Sequence, residues 1–266
     1  MTSMMRARLL RWACLLAFAL AVEVLARGGW VRQATLVPIS EMVLRLGEIV
    51  LTGTIPSPYF ARAGAPSLLT HLGATGSQAA LAFGLAVITG IPTGILLWRF
   101  PLLNRILTPY LVSYYAIPIF ALYPLFILLF GIGILPIVLI GFCFGVVVIV
   151  VNTAIGFHRV DQEVYPKVGR SLRLSGLRLF RFIYLPAATP FLFTGLKLGF
   201  IYALIGVIAS EFIISTRGLG HVIDRSYRNF ETANMYAGIL LVVGAALLVN
   251  TLLIRIETRI QGRYER

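Results

Sequence analysis

The chain has two lysines, Lys167 and Lys197, and they follow Pro166 and Leu196. Neither completes the Gly-Lys-Ser/Thr turn whose backbone amides and ammonium group cradle a nucleotide phosphate. His71, His158 and His221 stand far apart, with no His-Glu-x-x-His pair and no Cys-x-x-Cys motif to build a metal site. Cys14 and Cys143 both lie inside apolar runs, which sets up neither a disulfide framework nor a zinc site. Catalysis by this chain alone, a cofactor and a resident metal are therefore not expected.

The residues that do cluster are basic. Segment 156–190 carries Arg159, Lys167, Arg170, Arg173, Arg178 and Arg181 against only Asp161 and Glu163. The formal net charge is +13, which in a soluble protein would point to nucleic acid. Here 59% of residues are hydrophobic, only 12% are charged, and the charges gather at the ends of apolar runs. Topology and anionic lipid account for that pattern, so an integral membrane protein is expected and a nucleic-acid partner is not. A basic loop between long apolar runs reads as cytoplasmic, because flanking Lys and Arg resist translocation.

Winding 167–183 as one helix at about 100° per residue places Val168, Leu172, Leu179, Phe182 and Ile183 on one arc. Lys167, Arg170, Arg173, Arg178 and Arg181 fall opposite, with Leu174 and Leu177 among them. Burial in lipid explains the first arc but not leucines on the basic face, which ask for a protein partner. Ser175-Gly176 predicts a break into two short helices, which makes a projecting knuckle rather than a flat raft.

Six apolar runs must position this loop, at about 9–26, 72–98, 106–130, 134–155, 190–214 and 235–254. The first follows Arg6 and Arg8 as a signal peptide would, but it is long, Glu23 interrupts its end, and no A-x-A site precedes Arg27. An uncleaved helix with Glu23 at the interface is the reading. Residues 27–70, with Pro38, Pro56, Pro58 and Pro66, read as an extracytoplasmic loop with a surface helix around 39–51. The second run has a small-residue ridge, Ala82, Ala86, Gly90 and Gly94, and Pro92 should kink it. The third carries Pro109, Pro118 and Pro124 and should be bent or broken. Its Tyr110, Tyr114, Tyr115, Phe120 and Tyr123 read as bundle packing, with a solute pathway as the alternative. The fifth carries a second ridge, Gly195, Gly199, Ala203 and Gly206, expected to pack on another helix, and Lys197 should snorkel to the cytoplasmic side. Interval 211–234 falls outside, with Arg217, Arg225 and Arg228 partly balanced by Glu211, Asp224 and Glu231. Arg255, Arg259, Arg263 and Arg266 belong inside. The expected fold is an all-α membrane protein of six transmembrane helices, both termini cytoplasmic, with a helical cytoplasmic loop between helices 4 and 5.

With these features in this order, the chain resembles the permease subunit of binding-protein-dependent ABC importers, in the nitrate, taurine and alkanesulfonate branch. The matching pieces are GLAVITGIPTG (84–94), AIPIFALYPLFILLFGIG (116–133), NTAIGFHRVD (152–161), GRSLRLS (169–175), YLPAATPFLFTGLKLGF (184–200) and ASEFIISTRGLGHVI (209–223). Single pieces are weak; six in order over roughly 68–260 are specific. The family's shared cytoplasmic loop corresponds to about 163–186 and ends in Leu185-Pro186. The chain departs from it: the usual Glu-Ala-Ala falls on Lys167, Val168 and Gly169, and the usual turn glycine on Arg173. Glycine adopts positive φ at low cost and arginine does not, so Gly176 is expected to take over the turn.

The resemblance implies an inner-membrane permease that forms the path of a small solute. Its partners would be cytosolic ABC ATPase subunits, an extracytoplasmic solute-binding protein, and a second permease copy, as homodimer or heterodimer. The implied ATPase-coupling residues are Arg170, Ser171, Leu172, Arg173, Leu174, Ser175, Gly176, Leu177, Arg178 and Phe180. Glu211, Gly218, Leu219 and Gly220 would shape an outer gate or receive the binding protein. The implied organisation is an N-terminal helix and loop over 1–67, a permease core over 68–260 and a cytoplasmic tail over 261–266. A secondary transporter or channel is the alternative. Such proteins place ionisable groups at the bilayer midplane, whereas helices 2–4 contain no acid.

Overall fold

A computed structural model describes residues 2–28, 35–58 and 67–261; the side chains of Arg6, Arg8 and Arg11 lie outside that description. Pro66, Arg263, Arg266 and the tail from 262 lie outside the described residues. In order the helices are α1 (Thr2–Arg27), α2 (Ile39–Thr52), α3 (Leu68–Arg99), α4 (Pro101–Tyr114), a 3-10 turn (Ile119–Leu122) and α5 (Tyr123–Phe130). Next come α6 (Ile134–Gln162), α7 (Tyr165–Ser171), α8 (Gly176–Leu179), a π turn (Phe180–Tyr184), α9 (Leu185–Ile214), α10 (Leu219–Arg228) and α11 (Thr232–Gln261). Among the described residues there is no strand.

Four helical stretches are long and apolar enough to cross a membrane: Leu68–Arg99, Ile134–Gln162, Gly176–Ile213 and Thr232–Ile260. Pro101–Tyr114 with Ile119–Phe130 makes a fifth if that pair is one span, its halves meeting at 85°. The third apolar run is thus broken, at Pro118. Pro92, expected to kink its helix, lies inside α3, which is helical on both sides of it.

The chain divides into two compact units, Met1–Ala74 with Thr216–Val243, and Thr75–Ser215 with Gly244–Arg266. In the first, Glu23 does more than sit at an interface. Its carboxylate accepts Ser40 Oγ at 2.7 Å, Ser40 N at 3.2 Å and Arg27 Nε at 2.8 Å, fastening α1 to the start of α2. Ile49, Ile55, Leu68, Val222 and Ala237 form this unit's buried core. Val222 comes from α10, a helix inside the interval that reads only as a polar loop in sequence. Leu219, Val222, Ile223 and Ser226 are buried at the spacing of one helical face, while Tyr227 and Arg228 are exposed.

In the second unit α6 runs between α3 and α9. Lipid tails are as apolar as leucine, so helices gain by close van der Waals approach, which small residues allow. A Cβ at Gly94 would stand 2.5 Å from Thr153 Cβ, and one at Gly90 3.0 Å from Ile149 Cγ2. On the other side, a Cβ at Gly195 would stand 2.8 Å from Asn152 Cβ, at Gly199 2.5 Å from Ile149 Cγ1, and at Gly206 2.9 Å from Gly141 Cα. Ala203 is completely buried. Both ridges therefore meet α6 of the same chain. The Lys197 Nζ donates to Glu257 Oε2 near the C-terminal end of α11 at 2.8 Å, and both side chains are largely buried.

Candidate functional site

Residues 163–186 form a knuckle of two short helices and a π turn at the C-terminal end of α6. Wound as one helix, the segment would have kept going past Ser171. It stops because Arg173 itself enters the left-handed region, φ 59°, and Gly176 does the same at φ 52°. The expectation that Gly176 alone takes the turn is thus corrected, since an arginine carries half of it. The amide of Arg173 bonds Arg170 O at 2.9 Å and that of Leu174 bonds Gly169 O at 3.0 Å, closing α7. Gly169 lets α7 lie close against α8, because a Cβ there would stand 2.7 Å from Leu179 Cδ1.

The knuckle is held by an aromatic box. The Trp98 ring lies 5.0 Å from Phe157, 4.8 Å from Tyr184 and 6.2 Å from Phe180, and Phe157 stacks on Phe180 at 5.6 Å. Asp161 ties the box together: it accepts Trp98 Nε1 at 2.5 Å on one oxygen and the Tyr184 hydroxyl at 2.6 Å on the other. Arg170 Nη2 donates to the same hydroxyl at 3.4 Å. These contacts join the end of α3, the end of α6 and the π turn into one rigid base.

On that base the break rearranges the faces expected from a single helix. Leu179 is buried and Ile183 packs beside it, but Val168, Leu172 and Phe182 are exposed. Leu174, expected among the arginines on the open face, is half-buried against the Phe157–Leu179 cluster. Leu177 keeps the open face, 79% exposed, with Arg173, Ser175 and Arg178 exposed around it. Arg170, Ser171 and Gly176 are also exposed, and Phe180 is half-buried in the box. Behind the knuckle lies a cleft of about 800 Å³ lined by Arg159, Glu163, Tyr165, Phe182 and Phe191. The Arg159 guanidinium stands 5.6 Å over the Phe191 ring. The geometry offers an exposed leucine framed by arginines on a well-packed mount, which can bind an apolar, acid-rimmed surface.

The second set of expected residues is buried. Glu211 is 1% exposed, and Thr75 Oγ1 lies 2.8 and 2.9 Å from its two oxygens. Gly218, Leu219 and Gly220 are buried as well, and the Gly218 amide donates to His71 Nδ1 at 3.1 Å. His71 stacks with His221 at 6.2 Å. Sequence reasoning missed Thr75, Trp98, Asp161 and Tyr184. Asp161 in a conspicuously basic loop was the one available signal.

The family model for the inner membrane component of binding-protein-dependent transport systems matches residues 82–266. The chain is 31% identical to the taurine transport system permease protein TauC of Escherichia coli over 234 residues, 87% of this chain and 84% of the relative. It is 28% identical to the nitrate import permease protein NrtB of Leptolyngbya laminosa, over 77% of this chain and 74% of the relative. In fold it resembles a chain of the inward-facing MetNI methionine ABC transporter, with a TM-score of 0.61 at 17% identity, covering 73% of this chain and 95% of that one. The chain belongs to the inner membrane components of binding-protein-dependent transport systems, and it is the permease subunit of an ABC importer.

Proposed function

We propose that this permease couples to its ATPase through the open face of the knuckle, with Leu177 as the central contact and Arg173 and Arg178 at its rim. Exposed Leu177 on the aromatic base is the observation that carries the reading. ATP is hydrolysed on another chain, so motion must cross a protein–protein contact. A rigid mount transmits displacement where a floppy loop would absorb it. Arg170, Ser171, Leu172, Ser175 and Gly176 complete the exposed segment, and Leu174 and Phe180 hold it from beneath.

The rest of the proposed arrangement comes from the basic ends of the helices. Six helices cross the membrane, α1 and the broken α4–α5 pair included, with a permease core over 68–260 and both termini in the cytoplasm. A second permease copy completes the path, and an extracytoplasmic binding protein delivers the solute. Glu211 in its own unit, and the Gly218–Gly220 turn in the other, each shape an outer gate or receive the binding protein. The relatives named for taurine and nitrate point to a small polar solute.

The test is Leu177→Asp. A charge at the centre of an interface costs on the order of 2–4 kcal/mol, the scale of a hot spot. That corresponds to roughly thirty- to a thousandfold in affinity. The variant should insert at normal yield and lose the ATPase on co-purification, while Arg178→Ala weakens capture only slightly. Normal capture and uptake with Leu177→Asp would place the coupling contact elsewhere. Leu174→Asp is the poorer probe, because it puts the charge into the packing under the knuckle.

A further inference from the structure

The break in the third apolar run leaves backbone without partners in a place where lipid cannot supply them. α4 ends at Tyr114 and the 3-10 turn starts at Ile119. From Arg105, the charged landmark at the start of α4, ten residues of helix reach Tyr115, about 15 Å along the axis. The hydrocarbon core is about 30 Å thick, so the bend comes near mid-membrane; tilt shortens the projected depth, but at tilts of about 20–40° the bend stays inside the core. Ser113 and the four residues 115–118 are all exposed, Tyr115 by 59%.

The hydrogen-bond inventory of the bend is one-sided. Its amides are spent locally: Tyr115 N on Val112 O at 3.3 Å, Ala116 N on Ser113 O at 3.0 Å, Ile117 N on Tyr114 O at 3.1 Å and Ile119 N on Ile117 O at 2.8 Å. Pro118 has no N–H to give. Among the described residues, no donor reaches the carbonyls of Tyr115 or Ala116. Nor is the bend a loose segment. The Tyr114 hydroxyl donates to Cys143 O of α6 at 2.8 Å, and buried Ile119 and Tyr123 pack with Ile137, Val138 and Ile140 of the same helix. Irregular backbone at membrane depth persists only where protein buries it or water reaches it. This bend is fixed in place and not buried by its own chain.

We propose that the 113–118 bend lines the water-filled solute path, presenting the Tyr115 and Ala116 carbonyls and the Tyr115 side chain to it. The inference rests on the permease reading and adds to it the wall of the pathway. It also divides four of the five aromatic residues singled out in this run. Tyr114, Phe120 and Tyr123 pack, the last two stacked at 5.9 Å, while Tyr115 faces the path.

The experiment uses the full chain in permeabilised cells, so that reagent reaches both membrane faces, in a Cys14→Ser, Cys143→Ala background. Ala116→Cys and Tyr115→Cys are treated with a charged methanethiosulfonate, with Asn229→Cys as the exposed reference. The reagent attacks thiolate, which forms in water and not in lipid. Both bend positions should label to completion. Labelling after denaturation shows that each thiol is present, so a position blocked only in the native membrane is covered by lipid or by a second copy, and that result overturns the proposal. The readout needs no transport. Labelled bend thiols with no ATPase captured would sink the coupling reading and leave the wet bend standing; blocked thiols with normal capture would do the reverse.

Discussion

Arg173 is held at φ 59°, and the consequences are local. A left-handed residue with a Cβ costs about 1–2 kcal/mol. Glycine would avoid that cost but enter with a more flexible unfolded chain, worth about 0.5–1 kcal/mol in the other direction. Arg173→Gly should therefore steady the knuckle by roughly 0.5–1 kcal/mol, read as about two- to fivefold slower hydrogen exchange across 165–180. Faster exchange would mean that the arginine side chain holds the turn together. This residue also explains why Leu174 was misplaced in sequence. A helical wheel assumes one axis through 167–183, and a positive φ at Arg173 ends that axis. Leu174, on the far side of the break, then turns inward. The box residues were illegible for a different reason. Trp98 and Asp161 are 63 positions apart, and Thr75 and Glu211 are 136 apart. No helical period marks such pairs; only the packing of three helices brings them together.

At the scale of elements, the long spans were legible because length and apolarity are what a bilayer demands of a helix. The small-residue ridges showed which faces approach, and the structure adds the partner, α6 for both. The ion pair across α9 and α11 was not legible. Lys197 sits among apolar residues, where a snorkelling lysine and a paired one look alike in sequence. The pair predicts a thermodynamic cycle. Lys197→Ala takes the ammonium group away from the largely buried Glu257 carboxylate, at a cost on the order of 3 kcal/mol. Lys197→Met with Glu257→Gln removes both charges and should cost far less. Thermal loss of monodisperse, solubilised protein measures each arm. A double variant as unstable as the single one would show that the pair does not hold the helices together. Mixed composition also hid α10. Its buried residues recur at 219, 222, 223 and 226, but Asp224, Arg225 and Arg228 in the same ten residues lower the average enough to read as loop.

For the whole molecule, orientation is the property that organises every proposed role, since it sets which face meets ATPase and which meets the binding protein. The excess of Lys and Arg in 156–190 and after 254 favours keeping those segments inside. The opposing interval, 211–234, carries only Arg217, Arg225 and Arg228, fewer Lys and Arg than either of those segments, so it resists export less. Thiol mapping tests this, and the structure decides where the thiols belong. Ser57 and Ser226, which the sequence places in intervals read as outer, are both buried, and Ser57 donates to Glu231 at 2.5 Å. A cysteine at either would stay dark on whichever side it lay. Thr54, Asn229 and Ser171 are exposed and serve instead. In intact cells of the Cys14→Ser, Cys143→Ala background, an impermeant maleimide should label Thr54→Cys and Asn229→Cys and leave Ser171→Cys unlabelled. After permeabilisation Ser171→Cys should label as well, because the knuckle is exposed in its own chain. Labelling of Ser171→Cys in intact cells, with Thr54→Cys and Asn229→Cys dark, would invert the molecule. The knuckle would then lie on the side that holds no ATP, and Leu177 could not be the contact that drives transport.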